Sequence, residues 1–203
     1  MKLRYPKEYN FVDALTDIRS AVLLIGLHGK DLIGLELGVF RAESHLTILQ
    51  NCPNVKKLYG IDNWEPYTDW MNPDGDGPLN STSPAQMETH EWIAKHHIKW
   101  SGCSDRSELW KGNTDTLHLS CDDETFDFIF FDAWLDYEQV KRELNDWYPK
   151  LKKGGLCIGH DYNAEPVNVG VAEFRDMTVN FIYISELCYT NIHWFSIVIV
   201  TDA

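Results

Sequence analysis

The chain has 203 residues, 44% hydrophobic and 13% aromatic, which is enough for one ordinary domain with a substantial core and too few for a second of full size. A formal net charge of −13 argues against wrapping a phosphate backbone, which needs a Lys/Arg surface, so a small-molecule partner is expected rather than nucleic acid. Five cysteines (Cys52, Cys103, Cys121, Cys157, Cys188), odd in number and without a CxxC pair, disfavour a disulfide framework or a zinc ribbon and suit a reducing, cytoplasmic compartment. The start, MKLRYPKEYN, has no apolar signal region, and AVLLIGL at Ala21 to Leu27 falls short of the roughly 18 to 20 apolar residues of a membrane span, so no membrane association is expected.

Apolar residues at helix-like intervals from Phe11 to Leu27, with Asp13 or Thr16 near the start and Gly29 past the end, predict a leading helix. LIGLELG (Leu32 to Gly38) predicts a buried strand entering a glycine turn, followed by a helix over Ser44 to Gln50, and KKLYGID (Lys56 to Asp62) is the second strand. Residues 63–86, rich in Pro, Gly, Asp and Asn, form a long loop whose Trp64, Tyr67 and Trp70 suit a lid or a substrate wall. A helix is predicted from Pro84 to His97, a third strand at IKWSG (Ile98 to Gly102), and a short helix over Arg106 to Lys111. FDFIFFD (Phe126 to Asp132) is the fourth strand. Tyr137, Val140, Leu144, Trp147, Tyr148 and Leu151 at helical spacing predict a long amphipathic helix ended by KKGG at Lys152 to Gly155. LCIGHD (Leu156 to Asp161) is the fifth strand and Val169 to Met177 a helix, while NFIYISELCY and HWFSIVIV read as a closing hairpin around Thr190 and Asn191.

Strands alternating with helices, the early ones continuously apolar, predict an α/β fold with a mostly parallel sheet covered on both faces. Ligands of such sheets bind beyond the carboxyl ends of the strands. Those ends carry Glu36 and Gly38, then Asp62 and Asn63, then Cys103 and Ser104, then Asp132, then His160 and Asp161. Any one acid after a strand can be a mere helix cap or turn former, but five strands converging on polar residues point to a crevice. The turn ELGVFRAES has one glycine where a dinucleotide fingerprint shows GxGxxG, which makes it a poor pyrophosphate cradle. A carboxylate at Asp62 is placed to accept from ribose hydroxyls. A phosphate-free, adenosine-containing cofactor with a cationic, amino-acid-like tail is expected, and S-adenosylmethionine fits.

GLELGVFRAESHLTIL, LYGIDNW, FDFIFFDAWLDYEQVKRELNDWYPKLKKGGLCIGHDY and VGVAEF resemble successive blocks of class I S-adenosylmethionine-dependent methyltransferases. The nearest branch is methyltransferase-24, related to metal-dependent sugar O-methyltransferases and cephalosporin-hydroxylase-like proteins. The resemblance covers Gly34 to Phe174. It implies a single domain over residues 1–203 with a helical lead (1–30) and an inserted lid-like loop (63–86). It also implies a Rossmann-like three-layer α/β/α sandwich, its seven-stranded, mostly parallel sheet having an antiparallel last strand. By similarity, Glu36 and Gly38 would lie against the methionine end of the cofactor, Asp62 with Asn63 at the ribose, and Cys103 and Ser104 near the adenine. Asp132, beside the cofactor, would join His160 and Asp161 in holding a divalent cation such as Mg2+, although the imidazole departs from an all-oxygen set.

The reaction implied is SN2 methyl transfer to a hydroxyl of a sugar, polyketide or phenol, helped by a metal that acidifies the hydroxyl. Relatives carry a base shortly after the fourth-strand acid, where this chain has Trp134 and Leu135. His160 is the favoured base and Asp136 the alternative. A domain that binds the cofactor without transferring methyl is the competing reading. HEWIAKHH fails the HExxH spacing, so His90, His96 and His97 are read as a solvated face, and DGDG at Asp74 to Gly77 as a turn. Trp147 and Tyr148 are expected in the core. The long loop and the final strands offer a surface for a homodimer.

Overall fold

The computed structural model describes residues 18–66, 83–134, 136–160, 169–171, 182–186 and 195–200. Helix α1 (Arg19–His28) packs Ala21 and Ile25, one turn apart, fully into the interior. Strand β1 (Leu32–Leu37) is buried everywhere but Ile33 and leads through Gly38 into α2 (Glu43–Asn51) and β2 (Val55–Asp62). Then come α3 (Pro84–Ser101), β3 (Ser107–Lys111) and the one-turn α4 (Thr114–Leu117). β4 (Phe126–Phe131), α5 (Tyr137–Trp147), β5 (Leu151–Gly159), β6 (Ile182–Glu186) and β7 (Phe195–Val200) complete the order.

The seven strands form one sheet in the order β3-β2-β1-β4-β5-β7-β6. The pairs from β3 to β5 are parallel, while β7 runs antiparallel to both β5 and β6, as the sequence-based hairpin requires. Period-two alternation divides the core between the two faces. Phe128, Phe130, Leu156 and Ile158 pack with α1, α2 and α3 on one face, and Leu35, Leu37, Ile129 and Cys157 pack with Leu144 and Trp147 of α5 on the other. Each such side chain contributes about 1.5–3 kcal/mol by leaving water, so the sheet centre is the most strongly held part. Asp127, the lone acid inside the β4 run, sits at its amino end, where it accepts from Ile33 N at 2.7 Å and from Lys152 Nζ at 2.9 Å.

Three sequence expectations are corrected. Ile98 to Gly102 is the last turn of α3, not a strand: buried Met87, His90, Ala94, His97 and Ile98 keep one helical face going, and Gly102 at φ 77° stops it. The third strand is Ser107 to Lys111, where a helix was expected. It is the sheet edge, and an edge strand needs no continuous apolar run. KKGG does not end a helix either, because α5 stops at Trp147 and Lys152 to Gly155 form a bulge inside β5, with Gly154 at φ 76°. Of the loop 63–86, residues 63–66 are coil and α3 starts at Pro84; Tyr67, Trp70 and DGDG lie outside the described residues. So do the residues before 18, Leu135, and most of the helix expected at 169–177. No helix among the described residues is long and apolar enough to cross a membrane.

Candidate active site

The strand order reverses between β1 and β4, and the chain that leaves each strand there must diverge, opening a crevice. Gly38 forms its rim at φ 86°, and a Cβ there would lie 2.2 Å from the backbone oxygen of Asp132. Glycine is required because the β4–α5 connection crosses directly over it. On either side of Gly38 lies a cavity, one of about 230 Å³ toward β2 and β3 and one of about 250 Å³ toward α2.

Asp62 and Asn63 line the first cavity with Asn113, Thr114, Trp134 and Glu143. Asp62 is buried, and its carboxylate organises the loops that follow β1 and β2: Oδ2 accepts from Val39 N at 3.0 Å and Phe40 N at 2.7 Å, Oδ1 from Trp64 N at 2.7 Å. Burial raises its pKa, and those three amide bonds pull it back. Two lone pairs per oxygen leave one acceptor position, on Oδ1, so the expected hold on both ribose hydroxyls narrows to one. Asn63 Oδ1 accepts from Glu65 N at 2.9 Å. Trp64 belongs to the core, with its Nε1 donating to Phe40 O at 2.8 Å.

Asp132 and His160 meet in the second cavity, which Glu43 and Ser44 also line. His160 Nδ1 lies 3.1 Å from Asp132 Oδ1, a pair assembled from the ends of two adjacent parallel strands. Burial raises the pKa of Glu43, with Arg41 opposing and Glu36 and Asp132 adding to the rise. Asp161, third of the expected metal set, lies outside the described residues, and no group of three or more His, Cys, Asp or Glu placed for a metal occurs among those described. The Asp132 oxygen and the His160 nitrogen are spaced like neighbouring ligands of an octahedral ion, about 3 Å apart, and an imidazole donor suits a transition ion better than Mg2+.

Other expected site residues lie elsewhere. Glu36 is wholly buried and turned toward α2, where its carboxylate accepts from the Ser44 hydroxyl and lies 2.7 Å from His45 Nδ1, while His45 Nε2 lies 2.8 Å from Ser107 Oγ. It bears on the cavity through Ser44. Cys103 and Ser104 precede β3 instead of following it, which puts them at the opposite edge of the sheet; Ser104 Oγ bonds Ile98 O at 3.3 Å. The residues that do follow β3 are Gly112, Asn113 and Thr114. Asp136 is exposed and caps α5, accepting from Glu138 N at 2.9 Å and Gln139 N at 3.4 Å, so it does not reach inward. His90 and His97 are buried rather than solvated: Arg41 Nε donates to His90 Nδ1 at 2.9 Å, and His97 Nδ1 donates to Arg41 O at 3.2 Å. His96 is half-buried, stacked on Trp92 with ring centroids 3.8 Å apart.

Among the solved structures that this fold resembles are several methyltransferases. The O-methyltransferase TomG of Streptomyces achromogenes, crystallised with SAM, superposes with a TM-score of 0.65 at 14% identity, covering 99% of this chain and 92% of that one. An O-methyltransferase from Bacillus cereus in complex with SAH gives 0.64 at 16% identity, over 98% and 94%. A precorrin-6y C5,15-methyltransferase from Geobacter metallireducens gives 0.63 at 11%, over 100% and 95%. A search of curated proteins finds no match. Residues 35–162, more than half of the chain, match the family model described as a methyltransferase domain, and the chain belongs to that family of S-adenosylmethionine-dependent enzymes.

Proposed function

We propose that the protein transfers the methyl group of S-adenosylmethionine to a hydroxyl of a small molecule such as a sugar, polyketide or phenol. Adenosine occupies the cavity beside Asp62 and Asn63, and the methionine end lies across Gly38 toward Ser44 and Asp132. Neither cavity has a Lys or Arg among its described lining residues, while Asp62, Glu43 and Asp132 are acids, which suits a sulfonium and disfavours a dinucleotide. A precorrin C-methyltransferase shares the fold, so the choice of oxygen as acceptor rests on one observation, the Asp132–His160 pair at the switch point.

The Asp132 carboxylate, 3.1 Å from Nδ1, electrostatically favours the proton on that nitrogen, which leaves Nε2 as the basic one. The acceptor oxygen attacks the methyl carbon, the carbon–sulfur bond breaks, its electron pair returns to sulfur, and the hydroxyl proton passes to His160. Held instead by Asp132, His160 and Asp161, a divalent cation would supply Lewis acidity at that oxygen, with the imidazole then a ligand and not the base. Radiolabelled methyl transfer to a panel of hydroxylated acceptors tests the reading, with and without EDTA. His160→Ala should lower kcat by on the order of 100-fold or more while binding S-adenosylhomocysteine normally. Undiminished turnover by that variant would remove His160 from the chemistry, and indifference to EDTA would remove the cation.

A further inference from the structure

Glu143 is absent from the sequence-based site, yet it is 4% exposed on α5 and lines the cavity assigned to adenosine. Its two carboxyl oxygens are used very differently. Oε1 accepts from Thr114 Oγ1 at 2.6 Å and from Gln139 Nε2 at 2.9 Å, whereas Oε2 takes no hydrogen bond from a described residue. With Oε1 doubly engaged as an acceptor, a proton on this carboxyl belongs on Oε2. That oxygen then becomes a hydrogen-bond donor within a cleft wall that holds it in place through α4 and α5.

We infer that Glu143 is a specificity-determining residue for the cofactor, donating from a protonated Oε2 to a ring nitrogen of adenine. The inference rests on the placement of adenosine proposed above. Adenine ring nitrogens are acceptors, so an ionised carboxylate would repel them and a neutral one binds them. Burial raises the Glu143 carboxyl to about 7; hydrogen bonds from Thr114 and Gln139 oppose the rise, as does Arg142 on α5, while Asp115 on α4 adds to it. The donor form is therefore populated at neutral pH and lost above it.

Calorimetric titration of the whole protein with S-adenosylhomocysteine at pH 6 and pH 8.5 tests this. The wild type should bind about thirtyfold more weakly at the higher pH. Glu143→Gln keeps the carbonyl for Thr114 and Gln139 and gives a permanent N–H donor, so its affinity should match the wild type at pH 6 and stay there at pH 8.5. Glu143→Ala should be weak at both. A residue that merely tied α4 to α5 would not couple affinity to a proton, so a flat wild-type profile, or an equal decline in Glu143→Gln, overturns the inference while leaving the cofactor assignment intact. If S-adenosylhomocysteine fails to bind the wild type at either pH, the assignment itself falls.

Discussion

Glu143 shows how little a residue's type says until its surroundings are known. In sequence it is one of several charged positions on an amphipathic helix; in the fold it is a buried carboxyl titrating at about 7 against an ordinary value of 4.5. Because the folded value is the higher one, the unfolded chain ionises first as pH rises. Stability from this group is full below about pH 4.5, falls toward pH 7 and is flat above, a loss of about 3 kcal/mol. Glu143→Gln removes that titration, so urea unfolding at pH 4 and pH 8 should show the wild type losing about 3 kcal/mol more than the variant. Parallel losses in the two proteins would contradict the assignment. Asp132 and His160 were legible in the sequence because an acid or imidazole that closes an apolar strand is carried by that strand to the carboxyl edge of the sheet. Glu36 obeyed the same rule and still turned away from the crevice, since the rotamer of a strand-end side chain is decided by partners such as Ser44 and His45 that only packing supplies.

Among the elements, α5 and the glycine turn carry the clearest tests. Asp136 caps α5 from outside the crevice, so Asp136→Ala should cost about 1 kcal/mol in urea unfolding and leave methyl transfer unchanged. A large fall in kcat without loss of stability would restore the catalytic role that its sequence position suggested. Gly38→Ala would push a Cβ against backbone atoms of Asp132 and Ala133 at a left-handed φ of 86°. Neither neighbour is a flexible side-chain tip, so about 2 kcal/mol or more of stability should go, together with binding of S-adenosylhomocysteine. A variant with wild-type melting and binding would show that the β4–α5 connection can yield. The misplaced third strand has a simple origin. Ile98 and Trp100 look strand-like, and only the run of buried positions back to Met87 shows that they extend a helix.

For the whole molecule, binding in the crevice should appear as added stability, because the folded chain alone assembles it. S-adenosylhomocysteine at 100 times its Kd should raise the unfolding free energy by about 2.7 kcal/mol, read as a rise in Tm, and Asp62→Ala should lose most of it because the loops at Val39, Phe40 and Trp64 hang on that carboxylate. An equal rise in the variant would place the ligand elsewhere. Hydrophobic periodicity alone determined the alternation of helices and strands, the doubly covered sheet and the closing hairpin, since burial on both faces writes itself into the chain as apolar runs. Strand-end acids located the crevice for the same reason. Tertiary structure decided which strand forms the sheet edge, why Asp62 faces loop amides and Asp136 a helix end, and how Thr114 and Glu143, 29 positions apart, come to share a hydrogen bond at the cavity wall. Those outcomes depend on distances between segments remote in sequence, and no local pattern of residues encodes them.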